Sequence, residues 1–70
     1  MILSYKDECV NMDNVFSFKK YDIGDAISIK FEGVANETYF CYPDVTTRDE
    51  AYNKIKLLLI NYNWTDLYEL

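Results

Sequence analysis

The clearest signal along the chain is the alternation between residues 26 and 32. In AISIKFE, Ile27, Ile29 and Phe31 fall on one side while Ser28, Lys30 and Glu32 fall on the other, the period of two expected of a half-buried strand. VFSFKKY, from Val15 to Tyr21, repeats it, with Phe16 and Phe18 on one face and Val15, Ser17 and Lys19 on the other. Between these runs lies Asp22-Ile23-Gly24-Asp25, a turn in which Gly24 is free to take a positive φ. After a second turn at residues 33–37, the run Thr38-Tyr39-Phe40-Cys41-Tyr42 is aromatic and β-favouring, and Pro43, lacking a ladder donor, stops it. At the start, Met1 to Tyr5 is a short apolar run, Lys6-Asp7-Glu8 is a polar turn, and Cys9-Val10 can pair back. Asn11-Met12-Asp13-Asn14 then supplies side chains that bond nearby backbone and favour a further turn.

The period changes after Pro43. Ala51, Ile55, Leu58, Leu59 and Tyr62 recur at helical spacing and form a stripe for burial against a sheet. Thr47 followed by Glu50 fits a capping box, with Asp49 and Glu50 at the positive end of the helix dipole. Arg48, Lys54 and Lys56 are expected mostly away from the stripe, on the solvent side. The pattern therefore predicts one α+β domain over residues 1–70: strands over 1–43, a helix over about 47–61 and a tail over 62–70. The expected architecture is an antiparallel meander of four to five strands with one C-terminal helix packed across one face.

Leu57 and Ile60 fall outside the buried stripe, and the tail NYNWTDLYEL adds Trp64, Leu67, Tyr68 and Leu70. Either the tail folds back as a lid over Leu57 and Ile60, or these groups meet another molecule. Large amphipathic rings favour interfaces. Among the aromatics, Phe16, Phe18, Phe31, Tyr39 and Phe40 are expected in the core, whereas Tyr52, Trp64 and Tyr68 suit core and interface equally.

Composition narrows the chemistry. Half of the 70 residues are hydrophobic, enough to form a core rather than a disordered segment. Twelve acidic and seven basic residues give a net charge of −5, and the Lys and Arg are scattered, which argues against direct nucleic-acid or anionic-membrane contact. Acidity is ordinarily a matter of solubility; its sharper meaning is a face for a basic partner. The first residues lack a secretory signal pattern and no apolar run approaches a membrane span, so a cytoplasmic location is expected, with Cys9 and Cys41 reduced and partly buried. Two matches to the N-glycosylation pattern, at Asn36 and Asn63, then carry no weight.

No histidine is present and there are two glycines, Gly24 and Gly33. That removes His-activated nucleophiles, leaves a poor zinc ligand set, and denies the chain a Gly-rich phosphate cradle. Asp13, Asp22 and Asp25 lie in turns and offer at most a weak cation site. No catalytic residue, metal or cofactor is assigned, and an enzyme is not expected.

The order MILSY, VNMDNVFSF, AISIKFEG, ETYFCYPD and EAYNKIKLLL resembles a class of small single-domain β-meander-plus-helix proteins of Firmicutes and their phages or mobile elements. The resemblance covers about residues 1 to 60. It implies that VNMDNV leads from an opening hairpin into a core strand, and that a curved antiparallel sheet carries one helix. It brings no catalytic residues, and the tail from Asn61 onward departs from it.

These readings converge on a non-enzymatic, acidic protein-binding module, with Leu57, Ile60, Trp64, Leu67 and Tyr68 as contact residues and Asp66 and Glu69 as charges facing a basic partner. The resemblance suggests a mobile-element inhibitor that blocks a nucleic-acid-handling host protein. The alternatives are a structural homo-oligomer, in which two copies cover Leu57, Ile60 and Trp64 in an isologous contact, and a small-ligand-binding domain with a pocket between helix and sheet.

Overall fold

The computed structural model describes residues 1–61 and 67–70. The chain is α+β with one helix among the described residues, in the order β1 (Ile2–Tyr5), β2 (Glu8–Asn11), a 3-10 turn (Met12–Asn14), β3 (Val15–Ile23), β4 (Ala26–Gly33), β5 (Glu37–Tyr42), α1 (Val45–Asn61) and β6 (Leu67–Glu69).

The expected single meander is instead two three-stranded sheets, one ordered β2-β1-β6 and the other β3-β4-β5. The division falls at residues 12–14. There the Asn11 side chain accepts the backbone N–H of Asp13 at 3.0 Å, and the resulting 3-10 turn redirects the chain out of the first hairpin. Nor is the helix C-terminal: β6 follows it and pairs in parallel with β1, matching Ile2 to Leu67, Leu3 to Tyr68 and Ser4 to Glu69. Beyond the ladder, the Leu70 N–H donates to the Ser4 carbonyl at 2.7 Å.

Two tight turns set the antiparallel registers. Lys6, at φ 53°, lies in the turn from β1 to β2, and Gly24, at φ 57°, in the turn from β3 to β4. Between β3 and β4 the register slips at Val15/Ser17, a bulge that breaks the alternation at one position. Phe18 still faces inward, but Phe16, expected in the core, is 70% exposed. Tyr39 also leaves its expected core position. Phe40 and Tyr42 of β5 point inward, which turns Tyr39 to the outer face.

The core forms where the inner faces of both sheets meet α1. Leu3 and Val10 come from the first sheet, Ile29, Phe31, Phe40 and Tyr42 from the second, Ile55 and Leu58 from the helix, with Met1 and Met12 beside them. Aromatic rings bind the layers: Phe31 meets Phe40 edge-on at 4.8 Å, Phe18 tilts against Tyr52 at 5.4 Å, and Tyr5 stacks on Tyr42 at 4.3 Å. Tyr5 and Tyr42 thereby join the first sheet to the second.

The helix starts at Val45, two residues before the expected start, because the cap is Asp44 and not Thr47. Asp44 accepts the Thr47 N–H on Oδ1 at 2.7 Å, satisfying one of the free donors of the first turn, while its carbonyl accepts the Arg48 N–H at 3.1 Å as the first bond of the helix ladder. The Thr47 N–H bond holds the Asp44 carboxyl below its ordinary value. The stripe of Ala51, Ile55, Leu58 and Leu59 packs on the core as its spacing predicts; Tyr62 lies outside the described residues.

Candidate protein-binding surface

What fixes the helix on the sheet is Arg48, which was expected on the solvent side and is only 4% exposed. Its position explains this, since it precedes Ala51 by one turn and Ile55 by two and therefore belongs to the buried stripe. Its guanidinium reaches across to β3 and β4. Nη1 and Nη2 donate to the two carboxylate oxygens of Asp22, at 2.5 and 3.4 Å, and Nη1 also donates to the Ser28 carbonyl at 3.1 Å. Nε donates to Asp49 at 2.7 Å, and Asp49 accepts a second cation from Lys20 at 3.2 Å. The hydrogen bonds from Arg48 hold the carboxyls of Asp22 and Asp49 below their ordinary values, and those acceptors raise the guanidinium's own pKa. A buried guanidinium satisfied on both edges fixes the azimuth of the helix as well as its position.

With that azimuth set, Leu57 and Ile60 face away from the core, 59% and 77% exposed. Residues 67–70 return to the body of the protein, but as an edge strand of the first sheet beside β1, and Leu57 and Ile60 stay uncovered by the described residues. Tyr68 packs half-buried against the core, so its ring is a structural contact and not a projecting anchor. On the opposite side of β6, Leu67 and Glu69 are exposed, and Leu67 pairs with Ile2, itself exposed. The expected contact residues therefore separate into a helix pair, Leu57 and Ile60, and a sheet pair, Leu67 and Glu69. Trp64 and Asp66 lie outside the described residues.

One constellation is visible only through the sheet register. On the outer face of the second sheet, the Lys30 ammonium lies 4.8 Å from the Tyr21 ring centre and 6.0 Å from that of Tyr39, and 3.5 Å from Glu37. Burial alone would lower the Lys30 pKa, but the surrounding acidic groups, Glu37 first, carry it upward. The Tyr39 hydroxyl donates to Glu37 at 2.8 Å; that bond, with the Lys30 charge, lowers the Glu37 carboxyl, and the same bond, with burial, raises the tyrosine against the opposing pull of Lys30. Lys19 pairs with Glu32 at 3.2 Å beside it. The charges on this face answer one another, which makes it a self-satisfied cross-strand cluster.

No group of three or more His, Cys, Asp or Glu among the described residues is arranged to hold a metal ion. Asp22, one of the expected turn carboxylates, is occupied by Arg48, and Asp13 lies 3.6 Å from the N-terminal amine. Cys9 and Cys41 are free thiols, exposed rather than partly buried, because their strand positions alternate with the inward-facing Val10, Phe40 and Tyr42. No described helix is long and apolar enough to cross a membrane. Clefts open among the described residues. One of about 210 Å³ lies between α1, Tyr5, Tyr42 and Leu70, and one of about 490 Å³ opens between β2 and the turn joining β4 to β5. The Tyr42 hydroxyl, at the first cleft, is buried without a hydrogen-bond partner among the described residues, and burial pushes its pKa up to about 12. No family model, curated protein or solved structure matches the chain.

Proposed function

We propose that this chain is a non-catalytic, acidic protein-binding module whose contact face is the outward side of α1. The observation that carries the reading is the exposure of Leu57 and Ile60 on a helix whose orientation is locked from beneath by Arg48. A rigid helix presenting aliphatic groups one turn apart offers a partner anchors that lose little entropy on binding. The net charge of −5 favours a partner with a basic surface. In its finer form, the module is a mobile-element inhibitor that occupies the basic groove of a nucleic-acid-handling host protein. Acidity then raises the association rate and competes with phosphate for the same Lys and Arg.

The test replaces both anchors, Leu57→Glu with Ile60→Glu, and compares capture of host proteins by wild type and variant at matched folding. Loss of a retained protein supports the reading, and identical retention overturns it. The electrostatic part has its own check. Asp66→Lys with Glu69→Lys should weaken capture at low salt, and unchanged binding there removes the charge argument. If sedimentation shows concentration-dependent dimers that the Leu57/Ile60 double variant abolishes, the face joins two copies of this chain instead.

A further inference from the structure

We infer that the larger cleft binds an extended, uncharged peptide segment, which adds as a strand to the free edge of β2. β2 is the outer strand of its sheet and β5 the outer strand of the other, and no ladder joins them. The sheets meet at the end where Tyr5 stacks on Tyr42. The cleft, about 490 Å³, lies at the other end, with Cys9, Val10 and Asn11 of β2 facing Thr38 of β5 and the turn at residues 33–36, and Phe31 in its depth.

The phase of the hairpin determines which backbone groups that edge offers. Tyr5 and Glu8 close a two-residue turn and Leu3 pairs with Val10; the Met12 N–H donates to the Met1 carbonyl at 2.9 Å, in the same phase. Glu8 and Val10 therefore direct their N–H and C=O groups to β1. Cys9 and Asn11 direct theirs outward, along the free edge. This is the arrangement that strand addition uses, in which main-chain hydrogen bonds supply affinity and the flanking pocket supplies selection. The four residues of β2 span about 13 Å, and the cleft volume falls within the range of about 300–1,000 Å³ of ligand sites.

The lining selects the occupant's chemistry. Although 27% of the chain is charged, no charged residue lines this cleft among the described residues. An ionised side chain entering it would lose water and gain no partner. The polar groups present, the carboxamides of Asn14 and Asn36 and the Thr38 hydroxyl, combine donors with acceptors and so match neutral amides. The apolar surface of Val15 and Val34 accommodates small aliphatic side chains. The inference does not rest on the helix face.

The experiment pans a random heptapeptide phage library against the whole chain, then titrates the enriched peptide, made synthetically, into ¹⁵N-labelled protein. The expected result is an uncharged consensus, amide shifts centred on Cys9 and Asn11, and at least tenfold slower hydrogen exchange at those two amides. An analogue N-methylated at alternate amides should bind at least tenfold more weakly, while the Leu57→Glu/Ile60→Glu protein should bind the peptide as wild type does. No enrichment, a charged consensus, shifts confined to α1, or equal affinity for the N-methylated analogue each overturns the inference. Concentration-dependent shifts of Cys9 and Asn11 in the peptide-free protein would overturn it too, because the occupant would then be a second copy.

Discussion

Two residues apart on α1, Ile55 and Leu57 have opposite surroundings, and their substitution separates the buried helix face from the proposed contact face. Ile55 is 0% exposed and packs in the central cluster, whereas Leu57 is 59% exposed. Truncating a fully buried isoleucine to alanine removes its transfer energy and leaves a cavity, together about 2–5 kcal/mol. A domain of this size has only about 3–5 kcal/mol from its core, so Ile55→Ala should leave much of the protein unfolded at 25 °C. Ile55→Val is the gentler probe, expected to cost about 1 kcal/mol and to lower Tm by about 4–8 °C. Leu57→Ala should fall within about 0.5 kcal/mol of wild type, because little burial is lost and alanine is the better helix former. Urea melts followed by far-UV circular dichroism at several protein concentrations provide the measurement. If Leu57→Ala costs as much as Ile55→Val in the monomer, something in the chain covers Leu57, and the reasoning that leaves the outer helix face free is refuted.

Deleting residues 67–70 removes the parallel ladder to β1, the Leu70–Ser4 hydrogen bond and the core contacts of Tyr68 and Leu70; the urea midpoint should fall, and an unchanged midpoint would show that β6 adds nothing. Tyr42→Phe should stabilise by about 1 kcal/mol in equilibrium unfolding, because it discards a buried hydroxyl without a partner among the described residues, and a loss of stability would mean that the hydroxyl is satisfied. In acid, the folded carboxyls of Asp22 and Asp49 titrate below their ordinary value of 3.8. Their contribution is therefore full above that pH and is lost as pH falls through the lower folded values. Tm should accordingly drop below about pH 4, and Asp22→Asn should flatten that drop. An Asp22→Asn protein with the wild-type acid profile would contradict the Arg48 clamp.

Sequence pattern revealed those parts of the fold in which each residue's environment is set by its immediate neighbours. Ile29 and Phe31 faced inward as their alternation required, and Ala51, Ile55, Leu58 and Leu59 packed as their helical spacing required. Phe16 escaped this logic because a one-residue bulge is invisible to a period of two. Arg48 was misplaced for a different reason: its charge outweighed its spacing, although the spacing already put it on the buried stripe. Only the three-dimensional register brings Asp22, Asp49 and the Ser28 carbonyl to it. β6 had no local signature, since three residues are too few for a period and its parallel partner is the first strand of the chain. Of the expected contact residues, the exposure of Leu57 and Ile60 followed from their angle around the helix. The inward turn of Tyr68 depended on the β1 pairing, which no neighbour in sequence announces.

The proposed role is tested most directly by photo-crosslinking from the helix itself. A photoreactive residue placed at Leu57 should give a defined covalent product with a host protein, and the same residue placed at the buried Ile55 should give none. The account predicts that Ile60→Glu suppresses the Leu57 product while circular dichroism and the urea midpoint stay at wild-type values. A product that survives Ile60→Glu unchanged, or the absence of any product from Leu57 in the native host, would contradict it.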